Sequence, residues 1–217
     1  MIVITESGVL MSSSGTEIEV EGRVARRRRR NREALISAAC TVMAEKGIDA
    51  ATMLEIAQLA DVGAGTVYNY FKSKDELAIA VLEEMMHDLA LQIEKQTSSV
   101  DDAARVYAFG IATVLNEATN NLNWKQLLYR SEVIADALYR RMGPFAIRDI
   151  RRAVEAGRFN TPDADLVWRL TSHAIVGASL SINAGQLAGD VKREIVIRLL
   201  CMNGMGADEA LALAPAI

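Results

Sequence analysis

Two helix-start signatures stand close together in this chain, Thr52-Met53-Leu54-Glu55 and Ser73-Lys74-Asp75-Glu76, and the interval between them is the strongest constraint on the fold. In each, a hydroxyl and a carboxylate three residues on can satisfy backbone N–H groups that a helix's first turn leaves without acceptors. The interval must hold a short helix to about Ala60, a turn at Asp61-Val62-Gly63 and a second short helix from Ala64 to about Tyr70. Two helices crossing at a tight turn need small and apolar residues at set places. Ala57 is small at the crossing, Val62 and Val67 plug the space between, and Phe71 and Leu77 anchor the unit on its neighbours. The turn calls for a positive φ, which Asp61 adopts less readily than glycine. Upstream, Ala34, Leu35, Ala38, Ala39, Val42 and Met43 recur at helical spacing from Asn31 to the stop at Gly47.

The same period continues to the carboxyl end. A long helix runs from Ser73 to Thr97, Asp101 or Asp102 caps one toward Asn120, and residues 123–142 carry another. A break or kink is expected at Gly143-Pro144, with helix resuming to Gly157. Thr161-Pro162-Asp163 opens the most apolar helix, and a last substantial one follows Gly189-Asp190. No strand pattern competes. Of 217 residues, 51% are apolar and 5% aromatic, which favours helix over sheet. The expected fold is all-α with about nine helices: a helix-turn-helix domain at 23–80, a second helical domain at 81–217, and a mobile leader at 1–22.

Charge is unevenly spread. The formal net charge is -4, yet residues 23–80 hold ten Lys or Arg against seven Asp or Glu, with five consecutive arginines at 26–30. That excess points to an anionic partner for this segment. Arg28, Arg29 and Arg30 read as a flexible arm that neutralises phosphates or enters a minor groove, in preference to a solvated basic segment that aids solubility. Cys40 and Cys201 read as buried thiols, and no metal or cofactor motif occurs. No apolar run approaches a membrane span, so a cytoplasmic protein without a membrane partner is expected.

Residues 31–77 closely resemble the DNA-binding domain of the tetracycline-repressor (TetR) family. The resemblance rests on the small-residue helix ending Glu45-Lys46-Gly47, then Thr52-x-x-x-Ile56-Ala57, then Gly65-Thr66-Val67-Tyr68-x-Tyr70-Phe71-x-Ser73-Lys74-x-x-Leu77. It implies that Ala64–Tyr70 is a recognition helix for the major groove of double-stranded DNA. Gly65 would allow close backbone approach, Thr66, Tyr68 and Tyr70 would meet phosphates or base edges, and Lys74 and Thr52 would meet phosphates. The chain departs from the family's frequent Ser and polar residue at Gly63 and Ala64, so base readout shifts toward Asn69, Thr66 and apolar contact.

The resemblance further implies a homodimer on palindromic half-sites, joined through the helices near 163–185 and 190–203. It also implies an unidentified small-molecule effector whose binding releases the operator, as in a repressor. Candidate pocket residues are Met86, Leu89, Tyr107, Phe109, Trp124, Leu128, Tyr129, Phe145, Trp168 and His173, although core packing accounts for each singly, and His173 reads as a core histidine. Two alternatives stand beside this reading: a helical ligand-binding or adaptor protein without DNA binding, and, less favoured, an all-α enzyme. With two histidines 86 residues apart and no nucleophile or phosphate-loop motif, no catalytic residue is expected.

Overall fold

The arginine run is helical. In the computed structural model, which describes residues 9–11, 17–19, 22–121, 124–125 and 131–217, α1 spans Arg23–Lys46 and takes the run into its first turns. This corrects the expectation of a flexible arm ahead of a helix starting at Asn31. Arginine is a good helix former, and Arg29 lies 3.5 Å from Glu33 one turn on. The extension is nonetheless weakly started: Gly22 offers no side-chain cap, and no acid in the first turn opposes the positive end of the helix dipole. Residues 22–30 are exposed; burial begins at Leu35 and Ile36.

Next come α2 (Met53–Leu59) and α3 (Ala64–Tyr70). The Thr52 hydroxyl accepts from Glu55 N at 3.2 Å and Thr52 N donates back to the Glu55 carboxylate at 3.2 Å, so the first capping box is complete. Lys46 Nζ, 2.6 Å from the same carboxylate, ties the end of α1 to α2. Asp61 takes φ 52°, and Val62 N then reaches Ala57 O at 3.0 Å. Ile56, Ala57, Val67, Phe71 and Leu77 are all buried. Because the left-handed conformation disfavours a Cβ, Asp61→Gly is expected to stabilise the chain by about 0.5 kcal/mol, read as a small rise in thermal midpoint.

A long helix, α4 (Lys74–Thr97), then carries the chain away from this unit. Its second capping box is only half made. The Ser73 hydroxyl accepts from Glu76 N at 3.1 Å, but the Glu76 carboxylate takes Lys72 N at 2.6 Å instead of Ser73 N. Asp102 caps α5 (Ala103–Asn120) and Asp163 caps α7 (Ala164–Asn183). Between them α6 (Ser131–Glu155) continues as helix through Gly143-Pro144, so of the expected break or kink no break occurs. A Cβ on Gly143 would sit 3.2 Å from the Trp168 indole nitrogen, so bare backbone there lets α7 close onto α6. The Trp168 N–H donates to Tyr139 O at 3.1 Å, pinning the two helices just before the proline.

A 3-10 turn at Gly189–Val191 leads into α8 (Lys192–Met202), and α9 (Ala207–Leu213) follows. The sequence reading missed α9, which has seven residues, no capping side chain and only Ala210 and Leu213 buried. Nine helices are thus present among the described residues. Strands also occur: β1 (Val9–Met11) pairs antiparallel with β2 (Glu17–Glu19), in a segment read as a leader without strands. Three-residue runs are too short to give a recognisable alternation.

Candidate nucleic-acid interface and ligand cavity

Of the seven residues of α3, only Val67 is buried. Tyr68 is 59% exposed, Ala64, Gly65 and Asn69 are exposed, and Thr66 and Tyr70 are half-buried. A Cβ on Gly65 would meet nothing within 4 Å, so packing within the chain does not require glycine there. Thr52 is exposed but shares its hydroxyl with Glu55. Lys74 donates its ammonium to Asp49 O at 2.6 Å, holding the start of α4 against the loop after α1. Arg28, Arg29 and Arg30 lie exposed on the extension of α1.

Behind this unit, α4, α5, α6 and α7 line a cavity of about 40 Å³ that is partly open to solvent. Tyr107, Phe145 and Trp168 meet at its wall with Ile93 and Met142. Other candidates lie elsewhere. Met86 and Leu89 are buried in the core on earlier turns of α4, which gives Ala90, Ile93 and Glu94 to the wall. Phe109 is half-buried and Trp124 buried, both outside the lining. Leu128 and Tyr129 fall outside the described residues. His173 is not a core histidine: it is exposed, with Nδ1 2.8 Å from Arg169 O.

What the sequence did not reveal is the charge in this wall. Arg148 spans two helices, donating to both Glu94 oxygens at 2.8 and 2.5 Å and through Nε to Asp149 Oδ1 at 2.9 Å. Asp149 is 4% exposed, and burial pushes its carboxyl above the usual range despite the pull of Arg148. Hydrogen bonds from Arg148 hold Glu94 below it. Nothing in the run Arg148-Asp149-Ile150-Arg151-Arg152 separates an inward acid from a solvated helix face. Further along, Glu83 takes Arg141 at 2.6 Å and Arg140 at 3.0 Å, a second set of ties between α4 and α6. Arg158 joins Asp102 at 3.0 Å and also pairs with Glu209. Cys40 and Cys201, expected as buried thiols, are half-buried.

The outward face of α7 keeps Leu166 53% and Leu170 49% exposed, in line with His173 and Gly177. No helix among the described residues is long and apolar enough to cross a membrane, and no group of metal-ligating side chains occurs among them.

Residues 35–81 match the family model for bacterial regulatory proteins of the tetR family, and residues 102–215 match that for the tetracyclin repressor-like C-terminal domain. The chain belongs to the TetR family. Among solved structures, this TetR protein is similar to RolR in complex with the ligand resorcinol, with TM-score 0.79 and 30% identity over 89% of this chain and 97% of that one. FadR from Bacillus subtilis, in complex with stearoyl-CoA, shares the fold with TM-score 0.58 and 19% identity over 77% of this chain and 97% of that one. The HTH-type transcriptional repressor KstR2 of Rhodococcus jostii is 30% identical over 103 residues, 47% of this chain and 50% of that protein. An HTH-type regulator of Haemophilus influenzae is 46% identical over 55 residues, 25% of this chain and 27% of that one. The chain thus spans half or less of the length of these curated relatives.

Proposed function

We propose that two copies of this TetR-family regulator hold a palindromic operator through α3 and let it go when a small molecule enters the cavity in the cytoplasm. The observation that carries this reading is the outward face of α3, left open by a helix that buries one residue of seven. A helix-turn-helix with no internal partner for that face suits a major groove. The division of labour follows: residues 23–80 bind DNA, while 81–217 bind the effector and dimerise. Thr66, Tyr68 and Asn69 face base edges or phosphates, with Gly65 allowing close approach. Arg28, Arg29 and Arg30 add phosphate contacts from the helical extension.

The link between the sites is α4. It starts at Lys74, just after α3 ends at Tyr70, and reaches the cavity at Ile93 and Glu94. A ligand that parts α4 from α6 would reposition α3 and spoil the match of two recognition helices to the groove. A coupling of about 1–3 kcal/mol would weaken operator binding roughly 5–150-fold.

The test is selection of genomic fragments by the full chain, followed by gel shifts across salt concentrations. Enrichment of a palindrome supports the reading; failure to retain any fragment favours the adaptor alternative. Replacing Arg28, Arg29 and Arg30 together with Ala should weaken binding to all sequences alike and lower the salt slope by about two to three. An unchanged slope removes the extension from the contact set.

A further inference from the structure

A second cleft opens on the other side of α4, between it and α1, with a volume of about 270 Å³ and a mouth partly open to solvent. To the first cavity α4 gives Ala90, Ile93 and Glu94; to this cleft it gives Val81, Met85 and Asp88. At 3.6 residues per turn the two sets stand on opposite faces of the helix, so the cleft shares no wall with that cavity. The buried and half-buried lining residues, Ile36, Cys40, Val81 and Met85, give it an apolar floor. A single ring occupies a void of roughly 150 Å³, so a body of one or two rings has room here.

The rim is acidic. Glu33 comes from α1, Glu84 and Asp88 stand one turn apart on α4, and no base lines the cleft. Arg29 balances Glu33 at 3.5 Å, while neither Glu84 nor Asp88 has an ion pair or side-chain hydrogen bond among the described residues. Like charges one turn apart repel, so a cation between them is favoured. Burial, and then the charge of Asp88, push the Cys40 thiol above its ordinary value, so the floor stays neutral and the field of Asp88 reaches across to α1. A bare divalent ion does not suit the cleft. No group of three metal-ligating side chains converges among the described residues, and an apolar floor offers such an ion no oxygen. An ammonium on an apolar body uses both parts, because the body displaces water from the floor while the charge stays at the hydrated rim. We propose that this cleft binds a compact lipophilic amine, its body on Ile36, Cys40, Val81 and Met85 and its ammonium between Glu84 and Asp88. Such an occupant touches α1 and α4 at once. It is a site apart from the effector cavity and does not depend on the function proposed above.

The test titrates the full chain by calorimetry with three probes that share one cage-like body: adamantan-1-amine, adamantan-1-ol and adamantane-1-carboxylate. The amine should bind roughly five- to thirtyfold tighter than the alcohol, the increment of two partly exposed ion pairs, and the carboxylate should bind weakest. Raising the salt from about 0.05 M to about 0.5 M should shrink the amine's advantage. Glu84→Gln combined with Asp88→Asn should bring the amine down to the level of the alcohol, and retained alcohol binding reports that the variant is folded. Ser37→Phe places a ring in the cleft from an exposed position on α1 and should abolish binding of all three probes with circular dichroism unchanged. No amine binding, equal binding of amine and alcohol, a tighter carboxylate, an amine preference intact in the double variant or undiminished binding to Ser37→Phe overturns the proposal. A chain that binds the amine here but selects no DNA fails only the proposed function.

Discussion

Leu170→Asp should turn a dimer into a folded monomer and weaken operator binding by roughly two to four orders of magnitude, the loss expected when two linked contacts become one. Leu170 is 49% exposed on α7, one turn from Leu166 at 53%, and a Cβ on Gly177 would meet nothing within 4 Å. An apolar stripe with small residues along it is costly to leave in water and lets another helix approach closely. Since Leu170 makes little contact inside its own subunit, the substitution should spare helicity. The measurements are the mass by light scattering, the circular dichroism and the operator affinity at fixed salt. A variant that remains dimeric would place the interface elsewhere.

Phe71→Ala should cost about 3–5 kcal/mol, the usual range for deleting a buried aromatic ring, and lower the thermal midpoint by roughly 6–20 °C. Phe71 is 2% exposed where α3 ends, and its N–H donates to Val67 O at 2.9 Å. The Arg32 guanidinium of α1 lies 5.4 Å from the ring centroid. The ring thus holds the end of α3 against α1, and its removal leaves α3 with Val67 as its one buried anchor. Operator binding should fall even below the melting temperature. A midpoint shift under about 3 °C would show that the ring is not the plug it resembles.

The helix-turn-helix was legible because its constraints are local. Caps at Thr52 and Ser73, a turn at Asp61 and plugs at Val62, Val67 and Phe71 act within a few residues of one another, so spacing alone places them. The start of α1 was misread because arginine serves equally well in a solvated arm and in a helix, and no cap marks Gly22. The continuity of α6 was hidden since Gly143 needs Trp168, 25 residues on, to explain its lack of a side chain. Pocket residues fared similarly. Aromatic content pointed to Tyr107, Phe145 and Trp168, but no local pattern distinguishes the inward Asp149 from the outward His173. Glu94 turns toward the cavity only because Arg148 meets it from another helix.

Pro144 carries a mechanical consequence. Lacking an N–H, it leaves the Arg140 carbonyl without its usual rung, so the backbone ladder of α6 is thinnest there. Met142 and Phe145, on either side of that gap, both touch the cavity. A beam bends where its cross-section is weakest. Outward pressure at this level should flex α6 at Pro144, between the ties of Arg140 and Arg141 to Glu83 and that of Arg148 to Glu94, so that the load passes to α4 as a tilt.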